Sequence, residues 1–265
     1  ISALLKLNIL SIETTDKTCV LDSPEKIKPY DATRSKTEQV EEMFDAIAPA
    51  YDFMNRAMTF GIDKLWRAKA VRMVGKSSPG AILDVATGTG DLAIKLAREI
   101  PGVHVTGIDL SEQMLGIGRT KIEKAGLASR IKMCKADCLA LPFEGSSFDC
   151  VTVAYGVRNF ENLAKGYREM ARVLRPGGML CVIELSMPQG RLVNPLYRFY
   201  SGTVIPAVGR LVSSDTSAYS YLPASIAAMP QGRRMLEIME EAGLEKASLL
   251  PLTFGTCAIY TAFKP

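Results

Sequence analysis

Histidine is almost absent from this sequence, which contains only one, His104, among its 265 residues. The segment around it, VHVTGID, is apolar, so we expect a buried structural role or an edge role for His104 rather than a catalytic one. A single histidine in such a place excludes a histidine metal cluster and a Ser–His–Asp triad. This absence fits a reaction in which a bound cofactor is already the reactive partner.

Cysteine pairs of the CxxC type are also missing. The six cysteines are scattered, mostly in apolar runs, as Cys19, Cys134, Cys138, Cys150, Cys181 and Cys257. This spacing argues against a zinc site and against a disulfide scaffold. Scattered cysteines of this kind behave as small buried hydrophobic side chains, so we expect a reducing, cytoplasmic environment and no metal.

The sequence has neither an opening segment long enough to span a membrane nor a strong charge bias. ISALLKLNIL is too short to cross a bilayer and has no small-residue cleavage site before Glu13 and Asp16. We expect residues 1–36 to form a flexible leader, because the start of the chain shares no periodicity with the later residues. The net charge of +4 does not by itself indicate nucleic acid, although it suits a surface near anionic lipid.

Strands and helices alternate through the centre of the chain. The strand-like segments are AILDVA, VHVTGIDL, IKMCKAD, CVTVAYG and GGMLCVIEL, with helical segments such as DLAIKLAREI and EQMLGIGRTKIEKAG between them. This alternation predicts parallel βαβ units in a doubly wound, mostly parallel, Rossmann-like α/β sheet. We also predict helices over residues 37–51 and 62–74, so that 37–75 precede the sheet in a single domain, 37–265.

The chain after Glu184 has a different pattern. It is apolar and aromatic but interrupted by Pro188, Pro195 and Pro206, which predicts short covering helices rather than a further strand. We expect residues 190–230 to form a lid over a substrate. A helix over residues 232–243 and the segments KASLLPL and CAIYTAF then predict an antiparallel pair that closes the sheet.

A glycine-rich loop stands between the first strand and its helix. It contains Asp84, Thr87, Gly88, Thr89 and Gly90, and an acidic residue, Asp109, ends the next strand. The glycines allow a ligand close to the backbone, and the carboxylate at the second strand end can accept both hydroxyls of a ribose.

Charge separates the two cofactors that such a loop can bind. The loop also satisfies the GxGxxA pattern of dinucleotide sites, but Asp84 and Asp91 flank it and would repel a pyrophosphate. S-adenosylmethionine carries no phosphate, and its sulfonium and ammonium groups are cationic. The acidic residues therefore favour S-adenosylmethionine over NAD.

Polar residues also follow the third and fourth strands. Asp137 and Cys138 end the third strand, where a carboxylate could accept the adenine amino group, although a strand-end aspartate can also simply make a turn. Tyr155, Arg158 and Asn159 follow the fourth strand, where open α/β sheets bind ligands. Since an arginine stays protonated, Arg158 would stabilise a phenolate or position a water, unless it forms only a surface ion pair.

Two longer signatures resemble the ubiquinone/menaquinone biosynthesis C-methyltransferase family. The first is Tyr51-Asp52-Phe53-Met54-Asn55 followed by TFGIDKLW, and the second runs from Arg172 through RPGGM to Glu184-Leu185-Ser186. The resemblance extends from about residue 38 to the end of the chain. It implies a class I fold for S-adenosylmethionine-dependent methyl transfer and a prenylated quinol substrate, with demethylmenaquinol favoured.

The resemblance also implies roles for particular residues. Thr89, Asp109, Asp137 and Cys138 fall on the family's S-adenosylmethionine contacts, and the catalytic group implied at the quinol ring is Tyr51, Arg158 and Asn159. Three positions differ from the family pattern: Asp63 replaces the usual histidine, Thr59 the usual serine, and Ala154 a contact that is often serine. The apolar stretch 192–211 would suit an isoprenoid tail and predicts peripheral membrane contact.

Alternatives to this interpretation remain open at the level of sequence. One enzyme could serve both menaquinone and ubiquinone synthesis. A nucleic-acid methyltransferase would share the fold, but AYGVRNF is not a proline-rich base clamp, so we expect no nucleic acid. A non-catalytic subunit that binds S-adenosylmethionine would keep the same strand ends. The residues do not decide whether the chain forms a homodimer.

Overall fold

The predicted alternation of strands and helices is present in the structure, a computed structural model that describes residues 24–188, 190, 193–200, 203 and 217–265. The helices are α1 (Lys36–Thr59), α2 (Asp63–Gly75), α3 (Asp91–Glu99), α4 (Glu112–Lys124), α5 (Leu163–Val173), α6 (Val193–Phe199), α7 (Ser217–Ala228) and α8 (Arg233–Glu241). The strands are β1 (Ala81–Val85), β2 (His104–Asp109), β3 (Ile131–Lys135), β4 (Phe148–Ala154), β5 (Leu174–Leu185), β6 (Glu245–Leu252) and β7 (Cys257–Phe263).

The strands form one sheet in the order β3-β2-β1-β4-β5-β7-β6. Strands β1 to β5 are parallel to their neighbours, whereas β7 is antiparallel to both β5 and β6. This confirms the doubly wound sheet and the antiparallel closing pair. The order reverses beside β1, between β2 and β4, and such a reversal opens a crevice at the carboxyl ends of the strands.

The core lies on both faces of this sheet. Successive residues of β1 point to opposite faces, so Leu83 and Val85 pack on the α5 side while Ile82 packs on the side of α2 and α3, and all three are fully buried. Burying each such side chain contributes about 1.5–3 kcal/mol. The sheet therefore provides a rigid base for the loops at its edge.

Helix α1 is longer than the sequence predicted. The Ser35 hydroxyl accepts the Glu38 N–H at 3.2 Å and starts the helix, which then continues through Pro49 to Thr59. The prediction that it ends at residue 51 is wrong, because Ile47 and Met54 on either side of the proline are both buried in a third apolar cluster. Their burial offsets the hydrogen bond that the proline removes.

Residues 24–36 pack against the domain, although the sequence predicted them as part of a flexible leader. The Lys36 side chain is fully buried, and its Nζ donates to the carbonyls of Pro24 at 2.6 Å and Arg158 at 2.9 Å. Gln39 Oε1 accepts the backbone N–H groups of Tyr30 and Asp31 at 2.9 and 2.7 Å. Residues 1–23 of the predicted leader lie outside the described residues.

The segment predicted to be a lid is described only in part. Helix α6 and helix α7 are present within 190–230, and the residues between 203 and 217 lie outside the described residues. Tyr219 and Tyr221 of α7 are buried in the cluster that contains Met43 and Met54 of α1. Among the described residues, no helix is long and apolar enough to cross a membrane.

Candidate active site

The glycine-rich loop runs from the end of β1 to the start of α3 along the crevice. Gly88 and Gly90 have φ angles of 55° and 78°, in the left-handed region that favours glycine. A side chain on Gly88 would also contact Tyr51 Cε1 at 3.8 Å. The Gly88 N–H donates to Asp109 Oδ2 at 2.8 Å, which fixes the loop against the end of β2.

Asp84 holds the loop through buried hydrogen bonds and does not line the pocket at the carboxyl ends of the strands. Its side chain is 1% exposed, and its two oxygens accept hydrogen bonds from the hydroxyls of Thr87 and Thr152, both at 2.6 Å. Burial raises the pKa of Asp84 to about 6. Asp84 and Thr87 therefore set the shape of the loop and place a carboxyl group beneath it.

Thr89 lies in a polar network that joins the loop to two helices. Its hydroxyl donates to Asp52 Oδ1 at 2.6 Å, and Lys121 Nζ donates to Thr89 at 3.0 Å and to Asp52 at 2.8 Å. Lys121 is also paired with Asp91, at the start of α3. Burial raises the pKa of Asp91, but Lys121 outweighs it, so that this pKa lies below its usual value. Like Asp84, Thr89 and Gly90 shape the loop without lining the pocket in front of it.

Four of the residues predicted to bind a cofactor do line that pocket: Gly88, Asp109, Asp137 and Cys138. Asp109 also accepts the Ser111 N–H at 3.0 Å, and Asp137 accepts the Leu139 N–H at 2.8 Å. Burial raises the pKa of Asp109 above its usual value. Each carboxylate oxygen has a second lone pair, so both aspartates can still accept hydrogen bonds from a ligand.

Helix α1 covers the pocket from above. Thr37, Val40, Phe44 and Tyr51, spaced along this helix, line the pocket opposite the strand ends. The rings of Phe44 and Tyr51 meet edge to face with their centroids 5.9 Å apart. The N-terminal helix thus contributes one wall of the pocket, a role that its sequence pattern alone did not indicate.

Arg158 and Asn159 lie in a short helical turn after β4, and both are mostly buried. Arg158 Nη1 donates to Glu184 Oε1 at 2.7 Å and to the Tyr155 carbonyl at 2.5 Å. Burial lowers the pKa of Arg158, but Glu184 outweighs it, so that the guanidinium stays charged. Asn159 Oδ1 accepts the Tyr221 hydroxyl at 3.2 Å. Arg158 is therefore in a buried ion pair and not in a surface pair.

An apolar cavity of about 200 Å³ opens beside the acidic pocket. The residues around it belong to α1, α2, the loop after β4, the end of β5, α6, α7 and the β6–β7 turn. They include Asn55, Met58, Phe60, Trp66, Tyr155, Arg158, Leu185, Tyr197, Tyr200, Leu222 and Ile226. Tyr155 lines both the cavity and the acidic pocket. A smaller space between them is bordered by Tyr51, Arg158 and Asn159.

Asp63, which replaces the family's usual histidine, has a clear structural role. It is 2% exposed and forms a buried ion pair with Arg67 one helical turn later. The Thr59 hydroxyl donates to Asp63 Oδ1 at 2.9 Å. The Arg67 guanidinium lies 5.4 Å from the centre of the Tyr155 ring, at cation–π distance. The Asp63–Arg67 ion pair therefore anchors the wall of the apolar cavity.

Sequence reasoning missed some residues and found no chemical role for others. Glu184 stands out in the sequence only as part of a signature, and nothing local marks it as the partner of Arg158. No feature of the sequence marks Lys36 as a buried residue.

His104 is an exposed residue at the start of β2, at the end of the strand opposite to Asp109. In the described part of the chain, no cluster of three or more metal-ligating side chains occurs.

Solved structures with similar folds are distant in sequence. The [4+2]-cyclase SpnF matches with a TM-score of 0.64 and 19% identity, over 86% of this chain and 97% of that chain. A methyltransferase from Thermotoga maritima, described as S-adenosylmethionine-dependent, matches with a TM-score of 0.60 and 16% identity, over 85% and 99%. At these identities, the likeness shows the fold alone.

Curated relatives are much more similar. A demethylmenaquinone methyltransferase of Porphyromonas gingivalis is 48% identical over 92% of this chain and 100% of that relative. One of Bacteroides fragilis is 47% identical over 91% and 98%. A ubiquinone/menaquinone biosynthesis C-methyltransferase of Geobacter sulfurreducens is 42% identical over 90% and 93%. The profile of the ubiE/COQ5 methyltransferase family matches residues 32–264. The chain therefore belongs to the ubiE/COQ5 methyltransferase family.

Proposed function

We propose that this protein transfers the methyl group of S-adenosylmethionine to a ring carbon of a prenylated quinol, converting demethylmenaquinol to menaquinol. The observation that carries the proposal is the contact between two unlike spaces: an acidic pocket at the strand ends and an apolar cavity that shares Tyr155 with it. The acidic pocket suits a cationic cofactor, and the apolar cavity suits an aromatic lipid. The names of the relatives support the same substrate.

The acidic pocket fits S-adenosylmethionine in charge and in shape. Asp109 and Asp137 present carboxylate oxygens with free lone pairs, and Gly88 offers backbone without a side chain. We assign Gly88, Asp109, Asp137 and Cys138 to direct contact, and Asp84, Thr87, Thr89 and Gly90 to the shape of the loop. When bound, the cofactor supplies a methyl group on a sulfonium, which is already an activated electrophile.

The residues beside the cavity fit the other half of the reaction. A quinol ring carbon becomes nucleophilic when a ring hydroxyl loses its proton, and the resulting negative charge needs a cation nearby. Arg158 supplies a permanent positive charge there, because Glu184 keeps its guanidinium protonated. Tyr51 and Asn159 border the space between the two pockets and would orient the ring. Burial raises the pKa of Tyr51, so its hydroxyl stays a hydrogen-bond donor at neutral pH.

We further propose that helices α6 and α7, the described helices of the predicted lid, cover the quinol. Tyr197 and Tyr200 in and after α6, and Leu222 and Ile226 in α7, line the apolar cavity. Tyr200 also donates a hydrogen bond to the Met58 carbonyl at 2.8 Å, which joins this segment to α1. A prenyl tail would leave the cavity between these helices.

Methyl transfer can be measured directly with labelled S-adenosylmethionine. Purified protein is incubated with reduced demethylmenaquinone and, in parallel, with the reduced demethyl precursor of ubiquinone, and label is followed into the lipid extract. We expect label in the naphthoquinol. Label in both quinols would broaden the substrate to both pathways. Label in neither quinol, with cofactor binding intact, would overturn the proposal and return the question to nucleic acid or to a non-catalytic role.

A further inference from the structure

Two turns of this protein carry the same tripeptide, Thr-Phe-Gly. One, residues 59–61, joins α1 to α2, and the other, residues 253–255, joins β6 to β7. In both, the phenylalanine has a left-handed backbone conformation, with φ angles of 51° at Phe60 and 57° at Phe254. The following glycines are also left-handed, at 74° and 85°.

Both phenylalanines are almost fully exposed, Phe60 by 80% and Phe254 by 84%. The left-handed conformation is disfavoured for residues that carry a Cβ, and glycine or asparagine would adopt it more readily. Exposure of a phenyl ring to water is also unfavourable. Each turn therefore pairs a strained backbone with an exposed aromatic side chain, a combination that points to function rather than to folding.

The two turns border the same opening. Phe60 and Thr253 both line the apolar cavity, and the Trp66 Nε1–H donates to the Thr253 hydroxyl at 2.8 Å. The Phe60 ring lies 6.0 Å from that of Tyr200. Next to Tyr200 is Phe199, which is 62% exposed. Of the three exposed phenylalanines, Phe60 lines the cavity itself, whereas Phe199 and Phe254 are chain neighbours of the lining residues Tyr200 and Thr253, and Phe254 lines an adjacent space. We call Phe60, Phe199 and Phe254 the aromatic rim of the cavity.

The exposed charged side chains that neighbour Phe60 in the chain are both basic. Between residues 53 and 65, the exposed charged side chains are Arg56 and Lys64, whereas Asp63 is buried in its pair with Arg67. Around the second turn, no charged residue occurs between Lys246 and Lys264. Aromatic side chains flanked by lysine and arginine are the composition of surfaces that rest in the headgroup region of anionic membranes.

We propose that the aromatic rim, with Arg56 and Lys64 beside it, docks on an anionic lipid bilayer and seats the mouth of the apolar cavity at the membrane surface. The inference rests on the proposed function, since a prenylated quinol is dissolved in the bilayer and must enter the cavity from there. It places the membrane contact on the turns after α1 and β6. Phe199 lies within residues 192–211, where the sequence also predicts membrane contact, and most of the other residues of that stretch lie outside the described residues.

Vesicle flotation of the full-length protein tests the surface. We use phosphatidylcholine vesicles with and without phosphatidylglycerol, and we compare the wild type with Arg56→Glu/Lys64→Glu. The matched control is Arg72→Glu/Lys76→Glu, which makes the same charge change near the other end of α2. We expect binding that depends on phosphatidylglycerol, a loss of roughly tenfold or more in the first variant, and little change in the control.

Substitution by glycine tests the aromatic part without threatening the fold. Glycine favours the left-handed conformation, so Phe60→Gly and Phe254→Gly should melt no lower than the wild type. We expect each to lose vesicle binding severalfold. Phe254→Gly should still methylate a quinol that lacks its prenyl tail at the wild-type rate.

Several outcomes would overturn the inference. The first is that the wild type does not bind vesicles. The second is that the glycine variants float with vesicles as well as the wild type does. The third is that both charge-reversal variants lose vesicle binding to the same extent. Loss of self-association in Phe254→Gly, measured by light scattering, would instead make the rim an interface between copies. A failure of the proposed function is distinguishable, because it would abolish methyl transfer to the tail-less quinol while vesicle binding persists.

Discussion

The acidic pocket and the apolar cavity lie side by side, but the chain builds them in different ways. The polar side of the pocket is formed by residues at or just after the ends of β1, β2 and β3, opposite the α1 wall, and their polar atoms are already held by hydrogen bonds at the strand ends. The cavity is formed by α1 and α2 near one end of the chain and by α6, α7 and the β6–β7 turn near the other. The polar side of the pocket thus depends on local backbone geometry, whereas the cavity depends on packing between distant segments.

This contrast suggests that the two sites can be damaged independently. Changes at the strand ends should act on cofactor affinity, and changes in the helices and turns should act on the quinol. Arg158 is the exception, because it lies at the junction and is held by Glu184 of the sheet. Four substitutions test the contrast, in order of decreasing expected effect.

Arg158→Gln should have the largest effect. It leaves Glu184, which is fully buried, without its partner, and the expected loss is about 3–5 kcal/mol in the free energy of unfolding. Urea denaturation measures this loss. The double variant Arg158→Gln/Glu184→Gln should recover most of the stability but no methyl transfer. Recovery of methyl transfer as well would show that the guanidinium serves only the fold.

Asp84→Asn should change how stability depends on pH. Because burial raises the pKa of Asp84 from 3.8 to about 6, the native carboxyl holds its proton more tightly than the unfolded one. The wild type therefore loses stability from this group as the pH rises from about 4 to about 6, by about 3 kcal/mol. The variant lacks this loss because an amide does not ionise. The amide can still form hydrogen bonds with both threonine hydroxyls.

The measurement is the difference in unfolding free energy between wild type and Asp84→Asn at several pH values. Other carboxyl groups affect both proteins equally and cancel in this difference. The unfolding free energy of the variant should increase relative to that of the wild type as the pH rises from about 4 to about 6. Above about pH 6 the difference should stay constant. A constant difference would show that the native pKa of Asp84 is not raised.

Asp109→Asn should act on the cofactor alone. The amide can accept only one of the two backbone N–H groups that now bond to the carboxylate, and it weakens the acceptor for the ribose. We expect the Kd for S-adenosylmethionine to rise roughly 100-fold in calorimetric titration, while the KM for the quinol stays unchanged. Asp45→Asn is the control, because Asp45 bonds to the Ser111 hydroxyl without lining the pocket. An equal rise in both variants would contradict the assignment.

Trp66→Phe should have the smallest effect and act on the cavity alone. It removes the hydrogen bond that joins α2 to Thr253 in the β6–β7 turn, and the loss of this bond costs about 1 kcal/mol of stability. The KM for the quinol should rise severalfold with no change in the affinity for S-adenosylmethionine. Thr253→Ser keeps the hydroxyl and should behave like the wild type. A change in cofactor affinity would show that the two sites are not separate.

The same contrast explains what could be predicted from the sequence. The sheet, its closing pair and the strand-end residues follow from period-two and helical patterns that lie within a few residues of each site. Asp109 and Asp137 were found in this way, and both line the pocket. The same strand-end rule marked Asn159, and the resemblance added Tyr51, which no local pattern marks.

The features that could not be predicted depend on partners far along the chain. Helix α1 passes Pro49 because its buried face packs against α7, about 170 residues later. Glu184 is recognisable as the partner of Arg158 only when β4 and β5 lie side by side. Some residues of the loop face the pocket, whereas others, such as Asp84 and Thr89, hold the loop in place through hydrogen bonds. Only the structure shows in which direction each side chain points.

The burial of Lys36 has a consequence for protein synthesis. The lysine and the rest of α1 leave the ribosome first, but the carbonyl of Arg158 that Lys36 binds is 122 residues further along. At synthesis rates of 5–20 residues per second, α1 waits roughly 6–25 s for that partner, with Ile47 and Met54 still uncovered. The α1 wall of the quinol cavity would therefore form late, because Ile47 and Met54 are covered only when α7 has also been synthesised.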